Sequence, residues 1–309
     1  MLTPATYREA YGFETVETLP RFPPLYVMAP PVGRPILAAS PYVTNSVYPD
    51  DALAQFPEYL DACVAAAESR RARFALLKTD RSELVSAFGP RFHVDLGYSK
   101  SRLDLTGGAE HVLTEIIPAK TRNQIKKGQK LDCHERLGRQ ELLDDFYAVI
   151  AKTQTELGTP VHHRRYYAAI LNHNPNADLL VLYLDGRPVS AALTLVVGDA
   201  ICHPYAGTLN RAKPTCVNNR LYWRLVELGI ERGCRWFDLG RSIKGSGNER
   251  YKRSWGGVET PVCLAYWLAP DETPPSYDST LTHLATSAWR FLPTAIAKGL
   301  GHHFIRYVP

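Results

Sequence analysis

No apolar run in this chain approaches the length of a transmembrane helix, which sets aside a membrane-spanning reading. The six cysteines (Cys63, Cys133, Cys202, Cys216, Cys234 and Cys263) are scattered and form no C-x-x-C pair. That spacing argues against a zinc site and against a disulfide framework, and fits a reducing compartment. The opening residues, M-L-T-P-A-T-Y-R-E-A, lack the apolar stretch of a signal peptide. His162 and His163 have no cysteine or carboxylate at ligand spacing, so no metal is expected. These absences describe a cytoplasmic protein with no tightly bound cofactor.

What remains is ordinary in bulk and informative in order. At 309 residues the chain is long for one core, so two domains are expected. An apolar fraction of 45% is usual for a globular protein. A net charge of +5 is compatible with an anionic ligand or RNA and demands neither.

Short strands are expected over 25–28, 35–40 and 74–77, with a helix over 51–70 capped by Asp50 or Asp51. Two further strands, 92–96 and 101–105, are divided by Gly97-Tyr98. Helical patterns follow over 109–130, broken at Pro118, then 139–157 and 164–171. Strands over 178–184, 188–197 and 200–206 are joined by Asp185-Gly186 and Gly198-Asp199 turns. A helix over 217–232 precedes strands at 235–239 and 262–268. This order matches the acyltransferase fold called GNAT. The expected fold is therefore α/β (α+β): tandem GNAT-like domains, the first shortened. The boundaries are 1–108, 109–270 and a helical tail over 271–309. In that tail, a helix over 281–300, interrupted at Pro293, has an apolar face of Leu284, Ala288, Phe291 and Leu292. The face either docks on the protein's own core or makes a peripheral membrane contact.

The richest stretch is W-F-D-L-G-R-S-I-K-G-S-G-N-E-R-Y-K-R-S-W-G-G, 236–257. A buried strand breaks at Gly240 into a glycine loop bearing Arg241 and Lys244, then a short helix with Arg250, Lys252 and Arg253. Glycines admit close backbone approach, and cations at a strand end hold anions. A phosphate-bearing or carboxylate-bearing ligand is one reading; a turn followed by a solvated basic helix is the other.

The chain resembles the FemAB family, in the branch associated with PEP-CTERM/exosortase exopolysaccharide systems. The resemblance rests on K-T-R-N-Q-I-K-K-G at 120–128, F-Y at 146–147, G-T-P at 158–160 and Y-A-G at 205–207. It continues through N-x-x-L-Y-W at 218–223, F-D-L-G-R-S at 237–242, G-S-G at 245–247, Y-K-R-x-W-G at 251–256 and W-R-F-L-P at 289–293. The resemblance implies acyl transfer to an amine, with aminoacyl-tRNA as donor and a cell-wall peptide precursor as acceptor in the peptidoglycan members. It also implies that Lys252 stabilises the oxyanion of the reacting carbonyl. Asn218, Tyr222, Ser242, Tyr251, Arg253 and Trp255 lie in the same motifs and, with the loop cation Lys244 between them, are the substrate-binding candidates.

Other candidates come from the residues themselves. Arg241 either binds phosphate in two-pronged fashion or pairs with Asp238. Asp238 either positions Arg241 or accepts the amine proton. Tyr205 is a proton relay or a core tyrosine. His203 is a candidate base, placed by two-residue alternation on the face of Tyr205. On a helix Lys120, Asn123 and Lys127 share one side, and Arg122, Lys126 and Lys130 another. That stretch is a phosphate or tRNA-acceptor contact, or a solvated basic face.

The pyrophosphate loop of acetyl-CoA enzymes, R/Q-x-x-G-x-G/A, is missing where it would fall; the chain reads G-T-L-N-R-A-K-P-T-C-V-N-N there. The expected function is a FemAB-like N-acyltransferase acting on an amine of a phosphate-bearing glycan or peptide precursor in cell-envelope or exopolysaccharide assembly. The co-substrate is aminoacyl-tRNA or acyl-CoA. The alternatives are an acyl-CoA-dependent enzyme for an amino sugar or small amine, and a non-catalytic GNAT-fold protein holding a nucleotide-linked glycan or RNA.

Overall fold

In the computed structural model the chain runs α1 (Pro4–Tyr11), β1 (Glu14–Val16), β2 (Leu25–Met28), β3 (Ile36–Ala39), α2 (Phe56–Ser69), β4 (Phe74–Thr79) and β5 (Phe92–Asp104). It continues α3 (Gly108–His111), α4 (Ala119–Gln129), β6 (Cys133–Gly138), α5 (Leu143–Leu157), α6 (Arg164–His173), β7 (Ala177–Leu184), β8 (Arg187–Val197) and β9 (Ala200–Thr208). The last elements are α7 (Val217–Glu231), β10 (Trp236–Ile243), α8 (Gly247–Arg253), β11 (Val258–Leu268), α9 (Thr280–Arg290) and α10 (Thr294–Ile305). Residues 2–275 and 280–308 are described; positions 276–279 of the expected tail, and the first and last residues, lie outside them.

All the described strands join one sheet in the order β1-β2-β3-β4-β11-β5-β10-β9-β8-β7-β6. Two neighbouring pairs are parallel, β3 with β4 and β9 with β10. A helix bridges each pair, α2 for the first and α7 for the second, as a parallel crossover requires. The sheet therefore repeats one strand–helix–strand unit. The strand flanking each unit comes from the other end of the chain. β11 lies against β4, and β5 lies against β10.

Helices cover both faces. On one, α1, α5 and α6 enclose a core that takes Tyr26, Ile36 and Phe74 from the first unit and Val181, Leu193 and Leu195 from the second. On the other, α2 covers the first unit and α4 with α7 the second. In α7 the spacing Val217, Leu221, Leu225, Leu228 gives a helical stripe that is fully buried. Gly229 lets that helix approach β9, since a Cβ there would lie 2.6 Å from the Ile201 side chain.

The local expectations need correction at several points. The strand expected to break into a loop at Gly240 runs on to Ile243, because Arg241, Ser242 and Ile243 pair with β5. Residues 92–104 form one strand, because β5 pairs continuously with β11 across Gly97-Tyr98 while β10 joins its second half. Asp50 and Asp51 do not cap α2; they open a 3-10 turn over Asp50–Gln55, and α2 starts behind Gln55 without a side-chain cap. α1 was not expected, although Thr3, Pro4 and a left-handed Gly12 bracket it. Nor was β6, an edge strand whose polar residues face solvent. The Asp185-Gly186 hairpin turn is present, with φ of 50° and 70° as its tight type requires.

Candidate functional site

β9 and β10 pair over only three rungs: Trp236 with Ala200, Phe237 with Ile201, and Asp238 with Cys202. Beyond them the two parallel strands part. Each strand carries a bulge at that level. In β9 the register against β8 slips between Leu195–Cys202 and Leu193–Tyr205, so His203 and Pro204 share one opposing residue. Pro204 has no N–H to give a neighbour. In β10 the register against β5 slips between Asp238 and Arg241. There Gly240 takes a φ of 78°, and its N–H donates to Asp238 Oδ1 at 2.8 Å.

α8 closes the opening. Ser246 Oγ accepts the Glu249 N–H at 3.1 Å, and Glu249 Oε2 accepts the Gly245 N–H at 2.7 Å. Glu249 also accepts from Ser99 Oγ at 3.2 Å, which fixes the helix to β5. The last turn of α8 then aims Lys252 beneath β10, where Nζ donates to the Arg241 carbonyl at 2.8 Å. Lys252 is 6% exposed. Burial brings its amine down to about 8, with Asp238 opposing that shift and Arg241 adding to it. Nearby His203 packs its ring against Tyr222 at 4.9 Å and Phe237 at 5.4 Å. Burial, and then the Lys252 charge, push its imidazole down to about 3, so it is neutral. Its Nε2 is buried without a hydrogen-bond partner among the described residues.

Asp238 does not pair with Arg241. Its Oδ2 binds Lys100 Nζ of β5 at 2.8 Å, and Lys100 also binds Asp80 at 2.9 Å and Asn45 Oδ1 at 3.2 Å. Arg102 completes the chain on Asp80 at 3.0 Å. Arg241 instead stacks on Tyr98 at 4.9 Å, with Nη1 lacking a hydrogen-bond partner among the described residues. Ser242 Oγ is likewise buried and unpartnered. Lys78 of β4 lies fully buried and donates to the Val43 carbonyl at 3.2 Å. Burial first, then the Arg241 charge, lower its amine well below the usual range. None of Lys78, Asp80, Lys100 or Tyr98 was expected. The one signal was a lysine inside each of two strand patterns, F-A-L-L-K-T and Y-S-K-S-R-L.

The remaining motif residues divide. Asn218 Nδ2 donates to the Tyr251 hydroxyl at 2.7 Å, and its Oδ1 accepts from Thr208 at 2.9 Å. Tyr222 sits 5.5 Å from the Tyr251 ring and 5.6 Å from Trp255. These side chains lock α8 onto α7 and β9 beside the opening. Arg253 pairs at the surface with Glu249 and Glu259. Lys244 Nζ donates to the Leu96 carbonyl at 2.7 Å, also at the surface. On α4, Lys120, Asn123, Lys126, Lys127 and Lys130 are exposed, and Arg122 is half-buried. Thr121 Oγ1 donates to the Ser254 carbonyl at 2.6 Å, so this basic helix begins directly beside the end of α8.

Tyr205 stands apart. The β9 bulge reverses the alternation, so His203 and Tyr205 lie on opposite faces of the sheet rather than on one. Tyr205 hydroxyl meets His162 Nε2 at 3.1 Å and Tyr166 hydroxyl at 3.2 Å, within the core under α5 and α6. His162 Nδ1 bonds the Tyr11 hydroxyl, and burial alone holds that imidazole down to about 3. The segment before α7 forms a 3-10 turn over Asn210–Thr215, with Pro214 inside it and Lys213 bonded to Asn210 at 2.7 Å. Among the described residues no cluster of His, Cys, Asp and Glu could hold a metal, and no helix is long and apolar enough to cross a membrane.

Residues 119–253 match the family described as acetyltransferase (GNAT) domain. The match begins at α4 and ends one residue past Lys252. Among solved structures, the chain is similar to FemX, at 12% identity and a TM-score of 0.65, covering 86% of this chain and 90% of that one. The fold is GNAT, in an arrangement similar to that of FemX. A second similar structure is the C-terminal domain of a protein described as a lysylphosphatidylglycerol synthetase of Agrobacterium fabrum, at 15% identity, TM-score 0.62, covering 92% and 90% of the two chains. A third is L-PGS from Bacillus licheniformis, at 13% identity, TM-score 0.60, covering 91% and 90%. No curated protein matches the sequence. In this GNAT fold the parted β9–β10 pair and α8 lie at the end of the matched region, and the strands supplying Lys78 and Lys100 lie outside it.

Proposed function

We propose that the protein is a FemAB-like N-acyltransferase that moves an aminoacyl group from aminoacyl-tRNA to an amine-bearing precursor of cell-envelope or exopolysaccharide assembly. The observation that carries this reading is Lys252: a buried ammonium, still mostly charged at pH 7, at the gap between two parting parallel strands. When the amine attacks the ester carbonyl, a C–N bond forms and the carbonyl oxygen becomes an oxyanion. Lys252 donates to that oxygen, a contact worth a few kcal/mol when preorganised, or roughly 10²–10³ in rate. Collapse then breaks the C–O bond to the tRNA ribose.

The amine arrives neutral, and the proton it loses ends on the departing ribose oxygen; His203, held down to about 3 beside the Lys252 charge, stays unprotonated and lines the gap instead of serving as the base. Asp238 acts through Lys100 to hold β10 in place. Arg241, stacked on Tyr98 with Nη1 unpartnered among the described residues, takes a phosphate of the precursor; Ser242, next along the strand, faces α8, and Tyr205 is a core tyrosine bonded to His162 and Tyr166. The exposed cations of α4 suit the tRNA acceptor stem, and the 3-10 turn before α7 in place of a glycine loop disfavours CoA.

The second reading is an acyl-CoA-dependent enzyme for an amino sugar or small amine, favoured by the acetyltransferase family matched over 119–253. Turnover with aminoacyl-tRNA and with acyl-CoA, against a panel of amino sugars and peptides, separates the two. The Lys252→Ala variant is expected to lose roughly 10²-fold or more in rate with the fold intact by circular dichroism. An undiminished rate would remove Lys252 from the chemistry, and turnover with acyl-CoA alone would overturn the tRNA reading.

A further inference from the structure

Most large apolar side chains are inside, and the exceptions are concentrated. Of the thirteen exposed large hydrophobic residues described, six fall between 284 and 308: Leu284, Phe291, Ile296, Leu300, Phe304 and Val308. Their spacing is ordered. Ala297, Gly301 and Ile305 are the buried residues of α10, each four apart. Gly301 sits so close to Val161 that a Cβ would lie 2.5 Å from its backbone nitrogen and oxygen. The adjoining stripe of Ile296, Leu300 and Phe304, also four apart, is exposed. On α9, Leu284 and Ala288 face outward in the same helical spacing that leads to Phe291. Phe291 lies in the joint between the two helices and is 87% exposed. α9 is tied to the body at Gly158, where Thr286 makes close contact, and to α10 through the Trp289 and Phe304 rings at 5.7 Å. The expected docking of this segment on the core is therefore half of what it does; its outward side is apolar too.

Charge decides what could cover that side. From 281 to 309 there is no Asp or Glu. Of its cations, Lys298 turns inward over the Tyr147 ring and Arg306 onto the Tyr11 carbonyl, while Arg290 is exposed beside Phe291. A second copy apposed on this surface would bring Arg290 toward its own counterpart with no acid from the same segment to offset it. A bilayer rich in anionic lipid supplies the missing charge, and its interface accepts Phe, Leu and Ile side chains a few ångströms deep.

We propose that α9 and α10 form a peripheral docking surface for an anionic membrane interface, with Phe291, Leu300 and Phe304 inserting and the exposed Arg290 beside Phe291 facing the lipid phosphates. The proposal does not rest on acyl transfer, since binding is read without turnover. The test is co-sedimentation of the full chain with vesicles of mixed phosphatidylglycerol and phosphatidylcholine, against phosphatidylcholine alone. The mixed vesicles are expected to bring down the protein, and the neutral ones far less. Phe291→Ser with Leu300→Ser is expected to lower partitioning roughly tenfold or more. Arg290→Gln is expected to lower it by roughly fivefold on anionic vesicles only, which keeps the test decisive if the serine pair unfolds. Failure to bind the mixed vesicles, or binding that neither the serine pair nor Arg290→Gln changes, overturns the proposal. So does a dimer in solution that the serine pair dissociates, because a second copy then covers the surface.

Discussion

Lys252 is poised where its protonation state matters near working pH. Burial holds its amine at about 8, so it is a cation below that value and loses its charge as pH rises through it. An oxyanion donor must be charged. The acyl-transfer rate is therefore expected to fall above about pH 8, and a pH–rate profile checks it. Lys252→Arg keeps its charge throughout and should remove that falling limb; a rate rising through pH 8 by way of Lys252 would mean a base instead. Behind it, Lys100 is the one ammonium between Asp80 and Asp238, nearly buried with both carboxylates. Lys100→Met removes a partner from buried charges and is expected to cost roughly 3 kcal/mol of stability, read as a lower urea midpoint. Lys252 and Arg241 were legible because they stand inside one glycine-marked motif. Lys78, Asp80 and Lys100 were not: a lysine inside an apolar strand hints at burial, but only the strand pairings bring them to the site. Asp238 was legible as a buried carboxylate needing a partner; the one partner offered for it, Arg241, was a sequence neighbour, and the actual one is Lys100 of β5.

At the level of elements, local patterns served helices and hairpins and failed at irregularities. The hairpin at Asp185-Gly186 and the break at Pro118 follow from backbone chemistry within a few residues. The bulge at His203-Pro204 does not, since it exists only as a mismatch against β8, and it separated two residues that strict alternation had joined. β6 was missed because an edge strand with one wet side, C-H-E-R-L-G, resembles a loop in composition. α4 carries the element-scale prediction. Its exposed cations lie beside α8, and Gly128 lets it pack on the start of α7, where a Cβ would lie 2.6 Å from the Cys216 carbonyl. Charge reversal at Lys120, Lys126 and Lys130 is expected to raise KM for aminoacyl-tRNA several-fold and flatten its dependence on salt, with kcat little changed. Kinetics across a salt series read both. Unchanged KM would leave this stripe a solvated face.

The whole molecule depends on an exchange of strands that no local pattern announces. The two repeated units were legible as a second α/β pattern following a first. Their interlocking was not. β11, from the second half of the chain, fills the place between β4 and β5, and β5, from the first half, completes the sheet beside β10. Cutting at 108 would leave β4 and β5 without the strand between them, so the first fragment would expose two long unpaired edges. The second would keep β11 but lose both of its partners, and β10 would lose the Lys100 that holds Asp238. Exposed edges of that kind pair with other chains rather than persist. Residues 1–108 and 109–270, expressed alone, are therefore each expected to be unfolded or aggregated. Together, on co-expression, they should recover a soluble complex, with dispersed amide resonances as the readout. A first fragment that folds alone would mean that α2 with β2, β3 and β4 is already sufficient, and that β11 is an addition to a finished unit.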